Sequence, residues 1–184
     1  MLACALQDEQ VNHLVIILYS EQGKGKSTWI RRLLPPQWRE YYRNGMVNPD
    51  NKDHQLLLST HLIINMEEFE GARIGDLAGL KRVITQESVT ERKAYDMQAY
   101  NFIRHASFIA STNNRQCLQD IGGNRRFLPS SIITLDYRTP VNYEGIYAQA
   151  YALIKEGYRY WYEGEEINEL NRHNELHRMK DPVE

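Results

Sequence analysis

Residues 20–27 read S-E-Q-G-K-G-K-S and end in a lysine followed by a hydroxyl. They match the phosphate-loop pattern G-x-x-x-x-G-K-[S/T] at every fixed position but the first, where Ser20 replaces glycine. Gly23 and Gly25 let the backbone curl until successive N–H groups face phosphate oxygens. The start of a following helix adds partial positive charge. Lys26 offers a point charge to β- and γ-phosphates, and the Ser27 hydroxyl is a ligand for Mg²⁺. The expected nucleotide contacts are Gln22, Gly23, Lys24, Gly25, Lys26, Ser27 and Thr28, with ATP as ligand and Mg²⁺ as cofactor.

Hydrolysis needs further groups. Glu67 and Glu68 follow the apolar run L-I-I-N-M at residues 62–66. Glu67 would stand on the metal side, directly or through water, and Glu68 would be the general base toward an attacking water. Asn113, near the end of F-I-A-S-T-N-N, would bond a γ-phosphate or orient that water. Arg125 and Arg126, after G-G-N at residues 122–124, suit an arginine finger. Taken singly, an acidic strand end, an Asn-rich turn and a surface arginine pair are ordinary features. Their order along the chain is that of one mechanism.

For such groups to meet, the elements that carry them must end side by side. Residues 13–19 (HLVIILY) are expected as a strand buried on both faces. Residues 27–34 carry Ile30, Leu33 and Leu34 at helical spacing, stopped by Pro35 and Pro36. Residues 37–53 are polar and turn-rich. Residues 62–66 predict a second buried strand, 72–82 a helix, 83–95 a β-hairpin, and 108–112 and 127–135 two more strands. Helices at about 143–156 and 165–178 close the chain. Strands alternating with helices predict an α/β fold with a mostly parallel sheet flanked by helices. With 184 residues the chain suits one domain, its core at about 12–136 and a helical extension at about 140–184.

Hydrophobic residues at 42% and charged ones at 25% exclude wholesale disorder. The longest run free of Asp, Glu, Lys and Arg is residues 54–66, short of the roughly 20 apolar residues of a membrane span. Cys4 and Cys117 make no disulfide framework, and the N-terminus lacks the basic start of a secretory signal. A reduced, cytoplasmic protein is expected. His173 and His177, four apart in a polar helix, read as chance spacing and not as a ligand pair. Net charge is −2, but residues 72–126 hold nine Lys/Arg against five Asp/Glu, and residues 155–184 five against eight. A polyanion is therefore expected to meet the middle of the chain. Tyr158, Tyr160, Trp161 and Tyr162 suit base stacking or packing, and their acidic neighbours favour packing or a subunit contact.

With these residues in order, the chain resembles the virulence-associated protein E (VapE-like) family. These are P-loop ATPases related to superfamily 3 helicases and the AAA+ class, usually found with phage or mobile-element primases. The resemblance runs from about residue 14 to 135, most distinctively in L-K-R-V-I-T through T-E-R-K-A-Y, then F-I-A-S-T-N-N and D-I-G-G-N-R-R-F. It implies a P-loop NTPase fold in which Lys26 and Ser27 contact nucleotide and Mg²⁺. Glu67 and Glu68 would be the acidic pair and Asn113 the polar sensor. Arg125 or Arg126 would be a finger acting on a neighbouring subunit's ATP in a homo-oligomeric ring. By similarity to superfamily 3 helicases, residues 81–95 look like the hairpin that touches single-stranded DNA in a central pore. Lys81, Arg92 and Lys93 would contact its phosphates, and Tyr95 would stack or pack.

Three departures stand against that pattern. Ser20 lacks the freedom of glycine at positive φ, Glu67 stands where Asp is usual, and about a dozen residues precede the first strand where related helicases carry an upstream module. A fragment or truncated relative is expected. The expected function is an ATP-binding and ATP-hydrolysing domain acting on DNA in phage or mobile-element replication. The alternative is a nucleotide-dependent binding module with negligible hydrolysis. A small-molecule kinase would leave Asn113 and the arginine pair unexplained.

Overall fold

The Val-Ile-Ile-Leu run forms β1 (Val15–Tyr19), and so apolar a strand needs paired edges and covered faces. The computed structural model, which describes residues 1–7, 10–48, 50–69, 74–92, 97–118 and 124–179, supplies the pairing on both edges. β6 (Ser107–Thr112) and β7 (Phe127–Ser131) flank β1 in parallel, placing Ile17 opposite Ala110 and Pro129. β3 (Ile63–Met66) pairs β6, and the short β2 (Tyr42–Asn44) pairs β3, again in parallel. The order is β2-β3-β6-β1-β7. Pro129 is tolerated because β7 is an edge strand. Since the five strands run the same way, their carboxyl ends share one edge of the sheet and their amino ends the other.

Helices cover both faces. On one side Val15, Ile17, Ile64, Met66 and Phe108 pack with Leu58 of α3 (Lys52–Thr60) and with Leu80, Val83 and Ile84 of α4 (Ile74–Thr85). On the other, Leu18, Ile63 and Ile109 meet Ile30 and Leu34, from α2 (Lys26–Arg31) and the turn after it. A short α1 (Leu2–Leu6) precedes the sheet, and α5 (Tyr143–Lys155) and α6 (Glu165–Glu175) follow it. Among the described residues no helix is long and apolar enough to cross a membrane.

Several expectations need correction. β1 is not buried throughout: the six-residue α2 covers Leu18, but Ile16 on that face stays 38% exposed. The turn-rich segment holds a 3₁₀ helix (Pro36–Tyr41) and the edge strand β2, and α3 follows where no helix was expected. α4 continues to Thr85 because Val83 and Ile84 fall on its buried face beside Leu80. The hairpin therefore starts later, pairing β4 (Ser88–Arg92) with β5 (Ala99–Ile103) in a separate antiparallel sheet. β7 stops at Ser131, four residues short of the expected end.

Candidate functional site

The carboxyl edge of the sheet gathers the chemistry. The turn after β1 curls through Gly23 and Gly25, at φ +82° and +78°, and Gly25 caps α2 in the left-handed region. Ser20 takes no positive φ, so the missing glycine costs nothing in backbone strain there. A cavity of about 290 Å³ is lined by Gln22, Gly23, Lys24, Gly25, Lys26, Ser27 and Thr28. Glu67 and Glu68 from the end of β3, and Ser111, Thr112 and Asn113 from the end of β6, complete it.

Lys26 is buried against this edge (9% exposed). Its Nζ donates to Ser20 O at 3.0 Å, Ser20 Oγ at 2.9 Å, Glu21 O at 3.2 Å and Asn113 Oδ1 at 3.0 Å. Four oxygens thus hold the ammonium. Ser20 supplies two of them, and Asn113 ties β6 to the loop.

The two glutamates are held differently. Glu67 accepts from Asn44 Nδ2 at 2.8 Å and from Asn65 Nδ2 at 3.4 Å, so amides from β2 and β3 fix its carboxylate. Asn65 is fully buried in an otherwise apolar strand, and its Nδ2 also donates to Tyr42 Oη at 3.0 Å and Asn44 Oδ1 at 3.2 Å. Asn65 Oδ1 is buried with no partner. Burial is the largest influence on the Tyr42 hydroxyl and raises its pKa above the ordinary value. Glu68 is exposed and takes φ +52°, alone among the described non-glycine residues in having a positive φ. Asn44 and Asn65 escaped the reading of the sequence. The signal for Asn65 was present: an amide inside L-I-I-N-M must find a partner.

The arginines lie elsewhere. Arg125 and Arg126 sit in a 3₁₀ turn (Asn124–Arg126) just before β7, whose first residue pairs with Val15 at the amino end of β1. Five residues at about 3.3 Å each put the loop and this turn roughly 16 Å apart along the strands. Both arginines line a second cavity of about 590 Å³ with Glu87, Tyr160, Trp161 and Tyr162. Buried Asn174 of α6 donates to Asn124 O at 2.7 Å and Phe127 O at 2.9 Å, fastening both ends of the turn.

Of the expected DNA contacts, Lys81 belongs to α4 and not to the hairpin, because α4 runs on to Thr85. Arg92 closes β4, and Lys93 and Tyr95 lie outside the described residues. His173 Nε2 and His177 Nδ1 bond the carbonyls of Pro129 and Arg115 at 2.8 and 3.0 Å, with their rings 4.9 Å apart. Their spacing serves the docking of α6.

A parallel five-stranded sheet with a glycine turn, two acids and an amide at its carboxyl edge defines an α/β domain with a polar site at the strand ends. The chain belongs to the virulence-associated protein E-like domain family, whose model matches residues 10–179. Among solved structures, the apo C-terminal region of NrS-1 (305–718) aligns with a TM-score of 0.51 at 17% identity, over 94% of this chain and 45% of that one. The A form of the apo NrS-1 C-terminal region gives 0.47 at 20% identity, over 97% and 40%. This chain spans less than half of the solved region it resembles, and that likeness concerns the fold alone. No curated protein matches the chain.

Proposed function

We propose that this chain is the ATP-binding and ATP-hydrolysing domain of a protein that acts on DNA in phage or mobile-element replication. One observation carries the reading: the lysine-bearing turn, the adjacent Glu67 and Glu68, and Asn113 converge on a single polar cavity. The donor set fits a magnesium triphosphate. Lys26 and the N–H groups of a left-handed glycine turn meet the β- and γ-phosphate oxygens, and Ser27 with Glu67 would hold Mg²⁺. The metal, when bound, draws charge from the β- and γ-phosphate oxygens.

The residues divide the remaining work. Lys26 trades oxygens of its own loop for phosphate oxygens, and Asn113, already bonded to Lys26, stands beside the γ position. Glu68 takes the proton of the attacking water as its oxygen bonds the γ-phosphorus and the bridge to the β-phosphate breaks. Lys26→Ala should abolish ATP binding by titration. Glu68→Gln should keep binding and lower turnover by about 10²–10⁴-fold. Full turnover in Glu68→Gln overturns the base assignment, and unchanged binding in Lys26→Ala overturns the site.

A second reading is favoured by the position of Arg125 and Arg126 at the far edge of the sheet. A lone chain then lacks an arginine finger to add to Lys26 at the γ-phosphate, and acts as a nucleotide-dependent binding module until a neighbour supplies it. Single-stranded DNA is proposed to meet the β4–β5 hairpin, with Arg92, Lys93 and Lys81 of α4 proposed as contacts to its phosphates.

A further inference from the structure

The phosphate cavity has a direction. Its acids and amide come from the ends of β3 and β6, which lie together on one side of β1. If the γ end of a triphosphate points there, the nucleoside must leave on the other side of β1, toward β7. The segment after β7 carries Tyr137. A Cβ at position 25 would clash with Cδ1 and Cε1 of Tyr137, so this ring lies directly on the glycine that opens α2.

The ring is held there. Asp136 Oδ1 accepts from the N–H groups of Arg138 and Thr139, both at 3.0 Å, and bonds with Thr139 and Arg138 bring its pKa down to about 2. Arg32 donates to Thr139 O, while Tyr143 and Tyr147 donate to Arg32 O and Leu33 O at 3.0 and 2.8 Å. The segment is pinned to the end of α2. The Arg138 guanidinium lies 5.5 Å from the centre of the Tyr137 ring and backs it with a cation.

We infer that Tyr137, backed by Arg138, is the wall on which the base and ribose of the nucleotide pack, making it the residue that separates a nucleoside triphosphate from bare triphosphate. This rests on the nucleotide reading above. The test titrates the full chain with Mg·ATP and with inorganic tripolyphosphate. Tyr137→Leu keeps an apolar contact on Gly25 and removes the aromatic face; Tyr137→Phe keeps both.

With stacking of the usual strength, Tyr137→Leu should weaken ATP by about tenfold, leave tripolyphosphate unchanged, and be rescued by Tyr137→Phe. Equal weakening of both ligands would make Tyr137 a prop for the loop, and unchanged ATP binding would place the base elsewhere; either result overturns the proposal. Those failures leave wild-type binding and its loss in Lys26→Ala intact. A wild-type chain that binds neither ligand removes the nucleotide reading itself, and this inference with it.

Discussion

Glu68 sits in a conformation that costs most side chains about 1 kcal/mol or more, at φ +52° and facing the loop cavity. A fold keeps such a residue when the carboxylate is worth more in place than relaxed. Glu68→Gly should therefore stabilise the chain by roughly 0.5–1 kcal/mol, the relief exceeding the added entropy of the unfolded glycine, while turnover is lost. Denaturant midpoints check it: a lower midpoint would mean the backbone there is unstrained. The loop, the acid pair and Asn113 were legible because each is a local pattern at a strand end. Asn44 and Tyr137 were not, since what each touches is remote in sequence: Asn44 meets Glu67 from another strand, and Tyr137, after β7, meets Gly25, after the neighbouring β1.

At the scale of elements, the same difference explains the misplaced boundaries. V-I-T at residues 83–85 has the β-branched composition of a strand, yet Leu80, Val83 and Ile84 share a helical face that the core buries. β2 has three residues, too few for any alternation to register. Arg104 fixes the junction between α4 and the hairpin. Fully buried, it donates to the carbonyls of Val83 and Gln86 at 3.1 and 3.3 Å, to Ile84 O, to Ala106 O at 3.0 Å and to Asn12 O at 2.8 Å. Burial lowers its pKa to about 10, so it stays charged at neutral pH. Arg104→Met would strand those carbonyls and should cost about 3–5 kcal/mol in denaturant unfolding. Lys at 104 should rescue little, having no planar fork. A loss under 1 kcal/mol would mean the carbonyls find other donors.

A histidine just after α6 gives the pH dependence its sign. His177 is buried beside Tyr19, with ring centres 5.0 Å apart, and burial lowers its pKa below the ordinary value. The unfolded chain then binds the proton more tightly, so this stability is full above about pH 6.5 and is lost as pH falls through that value. His61, lowered by burial and then by Arg43, works in the same direction. The melting temperature should drop between pH 7.5 and 5.5, and His177→Gln should flatten part of that slope. Equal slopes in the two proteins would show that His177 accepts its proton in the folded state.

At the scale of the whole molecule, the separation of the two edges restricts assembly. The loop opens at the carboxyl edge and the arginine turn at the amino edge, so one copy's arginines can meet another copy's loop only in a head-to-tail, heterologous contact. A two-fold dimer joining like edges would pair loop with loop and leave the arginines idle. Turnover per chain should then rise with protein concentration, along with the mass in solution. Arg125→Ala and Arg126→Ala chains should bind ATP normally and turn over slowly when alone. Mixing the more impaired of them with an equal amount of Glu68→Gln should restore about a quarter of the wild-type rate, the share of random head-to-tail contacts that join an intact glutamate to an intact arginine. Turnover that is flat with concentration and not restored by mixing would confine the chemistry to one chain. The cations beside the phosphates would then be the loop's own Lys24 and Lys26, which line the cavity, since Arg125 and Arg126 lie too far along the strands to reach it.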